Sequence, residues 1–86
     1  MKAVVTVVGQ DTKGIIAKVS AKCADVGANI TEISQSVLSE YFAMIMLVSL
    51  EKLTVDFSAF ADALNKAGRE VGVDIRVFHG IKFVLI

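Results

Sequence analysis

The chain has 86 residues and a mass of 9.2 kDa, enough for one domain and not for two. Nine Lys and Arg balance nine Asp and Glu, and the pI is about 6.5, so nothing offers nucleic acid or an acidic lipid surface a basic footprint. Yet 55% of the residues are apolar and the mean hydropathy is +0.67, more apolar side chain than a core of this size can hide. Such a chain enters a membrane or associates.

Run length excludes a spanning helix. The longest apolar stretch, Tyr41 to Val48, stops well short of the roughly 20 residues a span requires. Met1-Lys2 leads straight into valines with no small-residue cleavage pattern behind them, which argues against a signal peptide. A single Cys forms no internal disulfide and fits a reducing compartment. The expectation is a cytoplasmic, single-domain protein that forms a homo-oligomer, a dimer or a tetramer.

The first segment, Lys2 to Val8, is β-branched and almost wholly apolar, the pattern of a strand. Gly9-Gln10-Asp11-Thr12 breaks it. From Lys13 to Val26 the apolar residues Ile16, Val19, Cys23 and Val26 recur at helical spacing, while Lys18, Lys22 and Asp25 take the other side. That predicts an amphipathic helix capped by Asp11 or Thr12 and stopped at Gly27. A second strand, Asn29 to Leu38, sets Thr31, Ile33, Gln35 and Val37 against Glu32, Ser34 and Ser36. Ser39-Glu40 reads as a tight turn into a third strand, Tyr41 to Leu50, apolar on both faces. The second helix runs from about Asp56 to Val71 on the stripe Phe57, Phe60, Leu64, Ala67 and Val71, and Gly72 ends it. The last strand alternates Val73, Ile75 and Val77 with Asp74, Arg76 and Phe78.

Parity adds what element order alone does not. Strands one and three are apolar on both faces and belong in the middle of a sheet; two and four are half polar and tolerate an edge. With right-handed crossovers this gives an α+β, ferredoxin-like βαββαβ sandwich, its antiparallel sheet ordered 4-1-3-2 with both helices on one face. The other face then has no helix to cover it.

Chemistry concentrates in two turns. Gly9-Gln10-Asp11-Thr12-Lys13-Gly14 precedes a helix N-terminus, where free N–H groups and the positive dipole end favour an anion. Gly9 and Gly14 have the spacing of a phosphate loop, but Ile15-Ile16 stand where that mechanism needs Lys and Ser or Thr. What survives is a small cradle for a carboxylate or an amino acid. The plainer reading makes Gly9 a turn residue, Asp11 a cap and Gly14 a packing residue. Gly27-Ala28-Asn29-Ile30 forms the second turn, with Asn29 serving either neighbouring backbone or a ligand.

The remaining candidates read as structure. Tyr41-Phe42-Ala43-Met44 on a central strand invites comparison with RNA-recognition motifs, but strand one carries no aromatic and Glu40 is acidic where a basic residue would help. Cys23 falls on the apolar stripe as a buried thiol. One Cys and one His far apart make neither a metal site nor a nucleophile pair, and no two acids are spaced for proton transfer. No catalysis and no cofactor are expected.

Gly9 to Ile16, a helix, and then Gly27-Ala28-Asn29-Ile30 resemble the ACT domain family, whose pattern has an Asp, a nearby Gly, a small-residue-rich helix and a terminal Asn-Ile. The stretch from Ile33 through Met44 is similar to stand-alone single-ACT proteins and, more distantly, to ACT segments of glycine-cleavage regulators and formyltetrahydrofolate deformylases. The resemblance spans about residues 1–79. It implies a regulatory module that binds an amino acid or similar small molecule and works as a dimer. Carried over position by position, it marks Gly9, Asp11, Gly14, Ile15, Asn29 and Ile30 as ligand-binding. Asp11 and Asn29 would meet polar groups, and Gly14 would let the ligand approach the helix. A ligand-free module docking on an enzyme or regulator stays open beside it. Relatives of this type tend to end in an acidic segment with an aromatic residue. Residues 80–86 are instead an almost wholly apolar tail, Gly80-Ile81-Lys82-Phe83-Val84-Leu85-Ile86, expected to pack against the sheet or a partner.

Overall fold

The computed structural model describes residues 1–10 and 13–80; Asp11, Thr12 and the tail after Gly80 lie outside the described residues. The elements follow the order β1 (Lys2–Gln10), α1 (Ile15–Asp25), β2 (Asn29–Leu38), β3 (Tyr41–Ser49), α2 (Phe57–Val71) and β4 (Val73–His79). The strands form one antiparallel sheet, β2-β3-β1-β4, so the two strands that are apolar on both faces are indeed central.

Register assigns the faces. Val5 lies between Met46 and Val77, and Val7 between Met44 and Ile75. These residues, with Ala3, Phe42 and Val48, meet Ile15, Val19 and Cys23 of α1 and Phe60 and Leu64 of α2 in one core. Phe60, Leu64, Met44 and Met46 are essentially inaccessible, and each such side chain stabilises the fold by about 2–3 kcal/mol. On the opposite face stand Val4, Thr6 and Val8 of β1 with Leu47, Ile45 and Ala43 of β3. Val8 and Ile45 are exposed there, whereas Val4 is buried at 8% exposure.

Three local expectations need correction. The buried stripe of α1 is Ile15, Val19 and Cys23, and Ile16 is 40% exposed, because the helix begins one residue past Gly14 and turns Ile15 inward. The N-cap of α1 is Gly14 itself, at φ +85°, not Asp11 or Thr12. Gly9 and Gln10 do not break β1; they continue its pairing with Phe42 and Tyr41. The far helix behaves as expected. Asp56 caps α2 by accepting the Ala59 N–H at 2.7 Å, and Gly72 closes it at φ +77°.

The edge strand β2 carries a bulge at Thr31, whose hydroxyl donates to the Leu47 carbonyl at 3.1 Å. Beyond the bulge every residue from Thr31 to Glu40 is exposed. Among the described strands β2 pairs with β3 alone, leaving its outer edge open.

Candidate functional site

The two turns of the sequence pattern lie at opposite ends of the sheet. Gly9 is level with Phe42 and Val37, while Asn29 is level with Ser49 and Lys2. That separates them by roughly 23 Å along the strands at about 3.3 Å per residue. Gly9 lies near the end of β1, and Gly14 and Ile15 open α1; Asn29 and Ile30 begin β2 at the other end. The two groups do not meet.

At the first end the glycines exchange the roles expected of them. Gly9 is a packing residue: a Cβ there would stand 2.8 Å from Val73 Cγ1 on β4. Gly14 is the conformational one, left-handed and, among the described residues, with nothing within 4 Å of where a Cβ would sit. The first helical bond of α1 runs from Lys18 N to Gly14 O at 2.9 Å. Ile15 is 3% exposed, so its side chain belongs to the core and only its backbone faces the turn. Asp11 lies outside the described residues.

The second end is braced. Val26 O accepts both the backbone N–H of Thr54 at 2.9 Å and its hydroxyl at 3.1 Å, which ties the β3–α2 loop to the end of α1. Gly27, at φ +78°, packs so tightly that a Cβ would run into the Lys52 carbonyl. Between these parts opens a cavity of about 490 Å³ lined by Ala24, Gly27, Ala28, Asn29, Ser49, Glu51 and Lys52. Of the residues marked by the sequence, Asn29 lines it; Ile30 is half-buried against the core. Ser49, Glu51 and Lys52 escaped the sequence reading. Their one signal was the polar break that ends β3.

Elsewhere the chemistry is quiet. Cys23 is 1% exposed, and burial pushes its thiol up to about 11, far from a reactive thiolate. His79 packs edge-on against Phe57 with ring centroids 4.6 Å apart, and its Nε2 lies 2.8 Å from Met1 Sδ. Among the described residues no group of three or more His, Cys, Asp or Glu gathers for a metal, and no helix is long and apolar enough to cross a membrane. Phe42 is buried, as packing requires, but its neighbour Tyr41 is 55% exposed.

The topology defines a ferredoxin-like module with a cavity beside its Gly27 turn. The ACT domain model matches residues 2–78, and the chain belongs to that family. It is 49% identical over 78 residues to a UPF0237 protein of Methanopyrus kandleri, covering 91% of this chain and 87% of the relative. An ACT domain protein from Streptococcus pneumoniae superimposes with a TM-score of 0.82 at 40% identity, over 100% of this chain and 98% of that one. A structure described as a putative glycine cleavage system transcriptional repressor shares the fold, with a TM-score of 0.73 at 20% identity, over 98% of this chain and 49% of that one.

Proposed function

We propose that this protein is a non-catalytic regulatory module of the cytoplasm, which binds an amino acid or similar small molecule between two copies of itself. The observation that carries this reading is the separation of the two turns beside an open edge. If two β2 strands pair antiparallel about a two-fold axis near their centres, the second copy's Asn29 comes opposite Leu38 of the first. Leu38 is level with Tyr41 and, across β3, with Gln10, at the Gly9 end of the sheet. Pairing therefore brings the second copy's Asn29 and Ile30 to the same end of the joined sheet as Gly9, Gly14 and the Ile15 backbone, which one chain alone does not do. The exposed Ile33, Val37 and Leu38 supply apolar surface for it.

The test is complementation. Measured by calorimetry in a Glu51→Gln, Lys52→Gln background, Asp11→Ala and Asn29→Ala chains each lose amino-acid binding at the interchain site; mixed after unfolding and refolding together, they regain it in part, because a mixed dimer keeps one intact site. Mixing without recovery overturns a site shared between chains.

One observation favours the second reading, a ligand-free module that docks on an enzyme or regulator. The helix-free face holds a shallow cavity of about 300 Å³ lined by Thr6, Val8, Ala43, Ile45 and their neighbours on β2. Absence of a thermal shift with any amino acid, together with loss of a partner complex in Val8→Glu, would select it.

A further inference from the structure

The cavity at the Gly27 end is complete within a single chain and shares only Asn29 with the interchain site above. We infer that it is a recognition site for the zwitterionic head of a free amino acid, with Glu51 taking the ammonium and Lys52 the carboxylate.

Four polar side chains line it: the amide of Asn29, the hydroxyl of Ser49, the carboxylate of Glu51 and the ammonium of Lys52. Among the described residues none of them is spent on a hydrogen bond or ion pair; the ion pairs present are Lys18–Glu70 and Arg76–Asp74. Adjacent residues of opposite charge that do not engage each other leave both charges available. The walls are held in place by the two bonds into Val26 O and by the contact of Gly27 with the Lys52 backbone, so little ordering is needed on binding.

Charge selects the ligand class. Ala24 belongs to the last turn of α1, so the negative end of that helix faces the cavity and adds to Glu51. A phosphate or other net anion is repelled by both. A simple cation meets Lys52. A metal ion finds one carboxylate where it needs several oxygen ligands. A molecule carrying both charges a few ångströms apart satisfies every group. Asn29 offers both a donor and an acceptor, and Ser49 a hydroxyl that turns to either. A volume of about 490 Å³ lies in the range of small-molecule sites and leaves room for a side chain.

The experiment follows the backbone amides of the ¹⁵N-labelled protein while each of the twenty amino acids is added at millimolar concentration. Acetate and methylammonium serve as probes carrying one charge each. The expected result is that at least one amino acid shifts Gly27, Ala28, Asn29 and Lys52 in a saturable way, while neither single-charge probe does so at equal concentration. Glu51→Gln and Lys52→Gln, both exposed substitutions, should each weaken that binding about tenfold. No shift at these amides with any amino acid overturns the inference, as does acetate acting as well as an amino acid. Binding that is lost in Asp11→Ala but unchanged in Glu51→Gln and Lys52→Gln overturns it too, while leaving the interchain site standing.

Discussion

The two ends of the sheet are built on glycines of the same backbone conformation with opposite surroundings. Gly14 and Gly27 sit at φ +85° and +78°, both beyond the reach of most side chains. No described residue comes within 4 Å of a Cβ position at Gly14; around Gly27 the β3–α2 loop closes down and is bonded to Val26. A left-handed residue thus starts a helix at one end and seals a joint at the other. The braced end holds a formed cavity of its own. The family pattern joins both ends, although one chain keeps them a sheet's length apart.

The strongest way to break this comparison is to give both glycines a Cβ. Gly27→Ala suffers the left-handed strain and a collision with the Lys52 carbonyl, and should destabilise the fold by about 2–4 kcal/mol. Gly14→Ala suffers the strain alone, about 1 kcal/mol. Thermal unfolding measures the difference, since each kcal/mol shifts the midpoint by about 4–8 °C in a domain of this size. Equal losses would mean that the contact between Gly27 and Lys52 is not a rigid joint. Thr54→Val sharpens the point. It removes the hydroxyl bond to Val26 O and keeps the backbone one, so it should cost about 1 kcal/mol and broaden the Gly27 and Ala28 amide signals.

The sheet order was legible in the sequence because burial on both faces leaves a mark on composition. Val4, Val5, Val7 and Val8 have no polar alternation, and β1 is central. The roles of Gly9 and Gly14 were not legible. Gly9 is required by Val73, a residue distant in the chain, and local sequence carries no record of which side chain crosses above it. The start of α1 slipped by one position for a related reason: Ile15 and Ile16 are equally apolar, and the φ of Gly14 decides which turns inward. The cavity escaped because Asn29 and Glu51-Lys52 belong to separate turns that only the β2–β3 pairing brings together. Composition pointed to excess apolar surface, and part of that surface now has named positions: Val8 and Ile45 on the helix-free face, and Ile33, Val37 and Leu38 along the β2 edge.

The smallest effect concerns how the Gly14 end is held. Lys18 in the first turn of α1 pairs with Glu70 in the last turn of α2 at 2.9 Å, joining the helices near that end. The hydrogen bond from Lys18, reinforced by its charge, lowers the Glu70 carboxyl below the usual glutamate range. A depressed carboxylate contributes stability that is fully present above its unfolded value and lost as pH falls through the folded one. Both side chains are exposed, so the contribution is modest and screened by salt. Glu70→Gln should therefore lower the unfolding midpoint slightly at neutral pH, and the difference from the parent chain should shrink as pH falls through the folded-state value. Amide protection at Lys18, which donates to Gly14 O, measured against the intrinsic exchange rate at each pH, should fall on acidification before protection at Ala28, because the Gly27 end is tied by backbone and hydroxyl bonds that do not titrate. Protection that falls at both ends together would show that the two ends open as one unit and that the brace at Gly27 confers no local advantage.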